Sequence, residues 1–304
     1  MLIRFIGPLL LISILYYTVE VRSVLATLRN VDLKYFLLSF IGVPIAAVLR
    51  GVRWRMLLKE FSINMSLAKC MGVTLIAMIV GCIFPLVGNL VKLYFFKNKT
   101  VKLAGPLITI VLEKSLDFLV PCSFFLSFLG VRIIKGDDAY GLLDLCLLIA
   151  GGTFCLGVFK AVINFPPLFN LISRNVESRF GGYLYHFRQA HSCINWKIFA
   201  ISIVDFLLAN CLQTYFLALA IRACLGFVET IFISTVKQIS MLIPVSYFGV
   251  GVREAGFIGA FTQLNYGPDT AVSLGAMVLC FQLVLALLGA IIYVVYPMQK
   301  ETQE

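Results

Sequence analysis

Three charged residues, Glu113, Lys114 and Asp117, stand inside the apolar run of residues 103–129. Glu113 and Asp117 are four positions apart, so a helix presents both carboxylates on one face. At the centre of a bilayer each charge costs about 2.5 to 3.5 kcal/mol, and ionisable groups at that depth are functional candidates. We therefore expect a facing cation, a polar cavity or protonation to accommodate the two acids. Their role is either a polar functional site or an ion pair that only joins helices.

A second candidate site lies where Arg253 and Glu254 follow Pro244, Gly249 and Gly251. Glycines let the backbone turn and approach a ligand closely. If a short helix begins here, its free N–H groups and the Arg253 guanidinium favour an anion such as phosphate. Neighbouring side chains on a helix point in different directions, so we expect Glu254 to be a poor partner for Arg253. The expected partners are the two acids of the first site or a lipid phosphate.

Further polar residues interrupt other apolar runs. Asp205, Gln213, Lys237 and Gln238 each stand in such a run. Each alone is more simply a packing or hydrogen-bonding residue than a ligand contact. Together they indicate a helix bundle with a polar interior.

The elements that must position these residues are membrane helices. Hydrophobic residues make up 61% of the chain and charged residues 13%, whereas soluble domains carry about 25% charge. The apolar runs are residues 5–19, 35–49, 71–87, 103–129, 142–159, 198–220, 230–248 and 271–295. Most approach the roughly 20 residues that a helix needs to cross a bilayer, and none shows the alternation of a membrane β-barrel. The sequence therefore predicts an all-α, polytopic membrane protein with a single transmembrane domain over residues 1–304.

Basic residues predict the orientation, because cytoplasmic loops are enriched in Lys and Arg. Three basic stretches, at residues 50–69, 92–102 and 160–197, are expected on the cytoplasmic side. The run between the first two cannot cross the membrane once, so we expect it to turn near residues 85–88 as a re-entrant hairpin. The alternative is a plain short helix with a misleading charge pattern. The first run lacks a small-residue cleavage site, so we expect an uncleaved first helix and a cytoplasmic N-terminus.

A second interrupted segment, opened by residues 244–251, enters from the opposite face if the first one is a hairpin. Two such segments predict inverted repeats with a binding site near the midplane. The halves would cover about residues 35–130 and 198–296.

Several classes of function find no support. The nine cysteines form no C-x-x-C pair, and the two histidines, His186 and His191, lie five apart in a polar loop without an acidic neighbour, so we expect no metal and no other cofactor. No G-x-x-x-x-G-K-[ST] nucleotide motif is present. The net charge of +10 is divided among loops between membrane runs, unlike the basic face of a nucleic-acid-binding module.

Taken in order, the motifs resemble those of the lysylphosphatidylglycerol synthase transmembrane, or flippase-like, family. The basic turn is Arg50-Gly-Val-Arg53-Trp54-Arg55. Its acidic/basic/acidic motif is matched by Glu113, Lys114 and Asp117, with Lys114 where Arg is usual. Its Pro-rich and Gly-rich Arg-Glu signature is matched from Pro244 through Gly249 and Gly251 to Arg253 and Glu254.

The first broken segment resembles that of the family less closely. Pro85, Gly88 and Lys92 match it in position, but Lys92 stands where Arg is expected. Asn89 stands where an acid is expected. Asn89 can hydrogen-bond there but does not ionise.

The resemblance implies a transporter rather than an enzyme. Members of the family are thought to move lipids or lipid-linked intermediates across the inner membrane, and some carry a soluble aminoacyl transferase domain. Because this chain ends at Glu304, we expect the translocation module alone, in the bacterial inner membrane. Its substrate would be an anionic phospholipid or a polyprenyl-phosphate-linked lipid, and its partners membrane lipids, a second copy or envelope-biosynthesis enzymes.

Roles for the candidate residues follow from that expectation. Arg253 would hold the headgroup phosphate, and the two acids of the first site would handle protons or a cationic headgroup. Arg50 and Arg53 would face headgroups on the cytoplasmic side. Two alternatives stay open: a membrane transferase in which the acids do acid/base work on a lipid, and a non-catalytic scaffold for envelope-assembly enzymes.

Overall fold

The computed structural model describes residues 21–83, 88–96, 104–135, 141–163, 195–242 and 251–295. Within these ranges the regular structure is helical and includes no β-strand, which confirms the all-α prediction. The α-helices in chain order are α1 (Val21–Arg29), α2 (Leu33–Leu38), α3 (Gly42–Glu60), α4 (Leu67–Ile83), α5 (Val91–Tyr94), α6 (Ala104–Lys135), α7 (Leu142–Ile163), α8 (Trp196–Val204), α9 (Leu212–Ala220), α10 (Phe227–Leu242), α11 (Val252–Gln263) and α12 (Pro268–Val295). A 3₁₀ turn continues α2 into α3, another precedes α5, and a π-helix (Asp205–Cys211) continues α8 into α9.

In the part of the chain that the structure describes, four helical stretches are long and apolar enough to cross a membrane. They are Leu33–Glu60, Gly105–Ile134, Trp196–Ala220 and Pro268–Leu288. Large apolar side chains also cover the outer surface: Ile133 is 84% exposed and Ile134 is 83% exposed. Water does not tolerate apolar surface of this extent on a soluble monomer, whereas a bilayer does. The chain is therefore an integral membrane protein.

The first and third of these spanning helices end in the same kind of turn. The backbone of Ser62 has φ 58° and that of Arg222 has φ 60°. In both turns the following N–H reaches back to a carbonyl five residues earlier, from Ile63 to Leu58 at 3.0 Å and from Ala223 to Ala218 at 2.9 Å. Each turn leads through four residues without regular structure into a shorter helix, α4 in one case and α10 in the other.

Both shorter helices are followed by a piece of helix that packs back along them. After α4, Gly88 lies so close to the preceding helix that a Cβ on it would be 2.5 Å from the Cα of Gly81. After α10, a Cβ on Gly256 of α11 would lie 2.7 Å from the Ser240 hydroxyl. The re-entrant form of the two predicted broken segments stays a prediction, because residues 84–87 and 243–250 lie outside the described residues. Pro85, Pro244 and Gly249 lie outside the described residues.

In each half, the shorter helix packs on a long helix of the other half. The shorter helix α4 of the first half packs on α12 of the second half, and α10 of the second half packs on α6 of the first. The flanking helices behave alike, since α1 packs on α12 and α7 packs on α6. Stacked rings of Phe128 and Phe232, with centroids 4.0 Å apart, join α6 to α10. The same order of elements and the same packing across the halves agree with two related halves. The entry of the two segments from opposite faces of the membrane stays a prediction.

Candidate functional site

The two acids of α6 meet a cation that comes from α3. Arg53 donates from Nη2 to Oδ1 of Asp117 at 2.7 Å, and the same nitrogen lies 3.8 Å from Oε1 of Glu113. The Arg53 side chain is 2% exposed, so the pair forms away from water. The expectation that a facing cation would accommodate the acids is thus met by a residue of the predicted basic turn.

A second cation reaches Glu113 from the segment after the first break. Lys92 of α5 donates from Nζ to Oε2 of Glu113. The ammonium also lies 4.7 Å from the centre of the Trp54 ring, a cation–π distance. Trp54 is held in turn by a hydrogen bond from its Nε1 to Thr109 Oγ1 at 3.2 Å. The pair therefore joins the short helix α5 to the long helix α6.

Arg50 is paired as well, with an acid on the π-helix. Its Nε donates to Oδ2 of Asp205 at 3.0 Å and to Oδ1 at 3.2 Å. A π-helix widens the helical turn and is often found at functional sites. The prediction that Arg50 and Arg53 face headgroups on the cytoplasmic side stays a prediction. Both residues lie on α3, which continues to Glu60, and their side chains turn into the bundle.

Arg253 and Glu254 form a compact unit at the start of α11. Arg253 donates from Nε to Oε1 of Glu254 at 3.0 Å and from Nη2 to the same oxygen. It also donates to Gln282 Oε1 at 3.2 Å and to the Gly275 carbonyl at 3.1 Å. Gly251, with φ 94°, provides the backbone turn that was expected here.

The prediction that Glu254 is a poor partner for Arg253 was therefore wrong. Glu254 occupies the third position of α11, where its side chain reaches back to the Gly251 N–H at 2.7 Å. Because the Glu254 side chain turns back toward the start of the helix, its carboxylate reaches the Arg253 guanidinium. Arg253 is 0% exposed, and the acids of α6 are paired elsewhere.

The ion pairs surround a cavity of about 400 Å³. Of the predicted site residues, Arg50, Arg53, Asn89, Lys92, Glu113, Lys114 and Asp117 line it. Gly88, Gly251, Arg253 and Glu254 are not among its lining residues. Arg253 lies one residue behind the wall, since its partner Gln282 does line the cavity.

Residues regarded singly as packing residues also line this cavity. Lys237 is 4% exposed and donates to Thr214 Oγ1 at 2.8 Å, Gln213 Oε1 at 3.2 Å and the Asn210 carbonyl at 3.5 Å. Gln238 lines the wall too, and its Oε1 has no hydrogen-bond partner among the described residues. The signal in the sequence was their common occurrence in apolar runs, which indicated a polar interior but not where it lies.

The wall of the cavity carries more positive than negative charge. Among the described residues, five cations line it, namely Arg50, Arg53, Lys92, Lys114 and Lys237, against the carboxylates of Glu113 and Asp117. Asp205, behind Arg50, reduces the excess of three positive charges to two. Apolar residues such as Met78, Met241, Val278 and Phe281 complete the lining. A cavity of this kind fits a ligand with an anionic part and an apolar part.

Comparison with known proteins agrees with the motifs and the helical bundle. The profile of the protein family described as Lysylphosphatidylglycerol synthase TM region matches residues 2–290. A relative, UPF0104 membrane protein PH1989 from Pyrococcus horikoshii, is 21% identical over 302 aligned residues, which cover 90% of this chain and 89% of the relative. No solved structure matches. Because the family profile covers nearly the whole chain, the protein belongs to the Lysylphosphatidylglycerol synthase TM region family.

Proposed function

We propose that the protein moves a phosphate-bearing lipid between the two leaflets of its membrane, with the headgroup passing through the central cavity. The observation that carries this proposal is the excess of positive charge on the wall of a cavity inside a membrane protein. A buried positive excess is costly without an anion, and the phosphate of a membrane lipid is an abundant anion at this location.

The position of the cavity supports passage rather than storage. Its lining combines α3, α4, α6, the π-helix, α10 and α12, which belong to both halves of the chain. Asn89 and Lys92, from the piece after the first break, also line it. Transporters built from paired halves commonly place the substrate between them, beside interrupted helices. A change in the packing of the halves would therefore alter access to the cavity.

The state of the two acids favours transport over the transferase alternative. Oε1 and Oε2 of Glu113 face Arg53 and Lys92, and Oδ1 and Oδ2 of Asp117 face Arg53 and Lys114. A general acid or base must reach the proton that it transfers. Carboxylates whose two oxygens both face cations are better placed to hold those cations than to transfer a proton to or from a lipid.

The orientation and the membrane belong to the same proposal. We propose a cytoplasmic N-terminus, because the basic stretches are concentrated in alternate loops. The inner membrane of a bacterial cell is proposed from the resemblance to the family alone. Membrane lipids are the proposed partners, and the lipid gradient or an ion gradient would supply the drive.

A leaflet-exchange assay tests the proposed function. The purified protein is inserted into liposomes that contain a trace of phosphatidylglycerol labelled on its acyl chain, and dithionite then bleaches the label in the outer leaflet. We expect bleaching to proceed beyond the outer-leaflet half with the wild-type protein. Arg50→Gln, in the cavity wall, should slow exchange, whereas Lys59→Gln, on the exposed end of α3, should not. Bleaching that stops at half with the folded wild-type protein would refute the function.

A further inference from the structure

Lys237 differs from the other cations of the cavity wall. Arg50, Arg53, Lys92 and Lys114 each face a carboxylate at 4.0 Å or less. The three acceptors around Lys237 are neutral: a hydroxyl, an amide oxygen and a backbone carbonyl. In the described part of the chain Lys237 therefore has hydrogen bonds but no counter-charge.

The surroundings of Lys237 increase its need for an anion. Arg50 lines the same cavity as Lys237, and Arg253 bonds to the lining residue Gln282, so both arginines place positive charge on the same side of the bundle. The side chain is 4% exposed, and the residue lines the cavity. A buried ammonium among neutral acceptors and neighbouring cations favours a bound anion, because breaking or omitting the counter-charge of a buried ion is strongly unfavourable.

The carboxylates near the cavity already have partners within the protein. Both oxygens of Glu113 and of Asp117 face protein cations, as described above. Both oxygens of Asp205 accept from Arg50, and Glu254 is shared between Arg253 and the Gly251 N–H. Among the described residues no carboxylate at this site is left to receive an ammonium group from a ligand.

We propose that the cavity selects lipid headgroups that carry a phosphate and no amino group, with Lys237 as the residue that takes the phosphate. This inference rests on the proposed function and specifies its substrate class. An anionic headgroup supplies the counter-charge that Lys237 lacks. An amino group would meet the four paired cations and Lys237 without a free carboxylate, and like charges in a water-poor site repel strongly. Specificity then comes from repulsion as much as from attraction.

Two residues of the cavity lining, Thr74 and Gln238, carry side-chain oxygens suited to the neutral part of the headgroup. Thr74 Oγ1 and Gln238 Oε1 are buried and have no hydrogen-bond partner among the described residues, and both residues line the cavity. Hydroxyl groups on the ligand are suitable donors for them. Phosphatidylglycerol, which has a phosphate, two hydroxyls and no amine, is therefore the appropriate probe.

The test compares two short-chain lipids that differ by one group. Binding of dioctanoyl phosphatidylglycerol and of its lysyl ester to the full-length protein is measured in detergent by calorimetry and by the shift in thermal unfolding. We expect the wild-type protein to bind phosphatidylglycerol at least about tenfold more tightly than the lysyl ester. This comparison needs no variant. Equal or tighter binding of the lysyl ester would overturn the selectivity.

Variants then test the role of Lys237. Lys237→Gln should weaken phosphatidylglycerol binding by at least about tenfold, Lys237→Arg should restore it because the charge returns, and Lys59→Gln serves as the exposed control. Wild-type affinity in a folded Lys237→Gln protein would remove Lys237 from the site. Glycerol phosphate, which lacks acyl chains, should compete weakly; competition as strong as that of the lipid would identify a soluble anion as the ligand and overturn the proposal.

Failure of this inference and failure of the proposed function give different results. A wild-type protein that exchanges both lipids equally between leaflets would retain the proposed function and lose the selectivity. A wild-type protein that neither binds nor exchanges either lipid would lose both.

Discussion

Lys92 and Glu113 form a buried ion pair that joins the short helix α5 to the first third of α6. The two residues are 21 positions apart in the sequence, and both side chains are almost fully buried. Trp54 covers the ammonium from α3. The position of the short helix α5 therefore depends on a charge contact as well as on apolar packing.

The first prediction follows from that pair. Lys92→Met leaves Glu113 with only the longer contact to Arg53 and should lower the free energy of unfolding by about 3 to 5 kcal/mol. The double variant Lys92→Met/Glu113→Leu should lose less than the sum of the two single variants, because neither charge is left alone. Thermal unfolding of the four proteins in detergent measures the coupling. Strictly additive losses would show that the pair contributes no interaction energy.

The second prediction concerns the packing of the first break. Gly88→Ala forces a Cβ to within 2.7 Å of the Ala77 carbonyl oxygen and should destabilise the protein by about 1 to 3 kcal/mol. Gly81→Ala is the matched control, because its Cβ would meet only the Gly88 Cα at 3.9 Å. That variant should be neutral or slightly stabilising, since Ala is favoured over Gly inside a helix by about 1 kcal/mol. Equal unfolding temperatures for the two variants would contradict the close approach.

The third prediction concerns Arg253, which makes contacts that a lysine cannot reproduce. Arg253→Lys keeps the charge but loses most of the hydrogen bonds to Glu254, Gln282 and Gly275. We expect a loss of about 1 to 3 kcal/mol in unfolding free energy, with and without added lipid, because the partners belong to the protein. Gly275→Ala should act in the same direction, since its Cβ would lie 2.9 Å from Glu254 Oε1. Gly259→Ala, which has open space around it, serves as the control. A defect of Arg253→Lys that occurs only in lipid binding would instead assign the guanidinium to the phosphate.

The fourth prediction tests the orientation of the two halves. Residue 64 and Cys224 occupy corresponding places in the two similar turns, and both are exposed. In a cysteine-free background, Asn64→Cys should react with a membrane-impermeant maleimide only from the cytoplasmic side. Restored Cys224 should react only from the outside, because inverted halves place the two turns on opposite faces. Labelling of both positions from one side would rule out the inverted arrangement.

The class of fold could be predicted from the sequence because continuous apolar runs have few other solutions. The basic turn was harder to interpret. A cluster such as Arg50 and Arg53 counts as a cytoplasmic loop in a charge pattern, but α3 extends to Glu60 and carries both residues inside the bundle. Composition does not predict which way a side chain on a helix points when the neighbouring helices are unknown.

The site was predictable in its residue types and not in its pairings. The need for a cation beside Glu113 and Asp117 follows from the cost of burying them, whereas the choice of Arg53 depends on how α3 crosses α6. Lys237 depends even more on tertiary structure, because its neutral partners lie on the π-helix and α9. For Arg253 the rule for adjacent residues failed because Glu254 also caps its helix.

The most direct test of the account is to obstruct the cavity during lipid exchange. Met78→Cys, in the cavity wall, and Lys59→Cys, on the exposed end of α3, are prepared in the cysteine-free background and inserted into liposomes. Both should exchange labelled phosphatidylglycerol before modification. After reaction with a bulky charged methanethiosulfonate, Met78→Cys should fall to the rate of protein-free liposomes, while Lys59→Cys should keep its rate. Unchanged exchange by fully modified Met78→Cys would contradict the passage of the headgroup through this cavity.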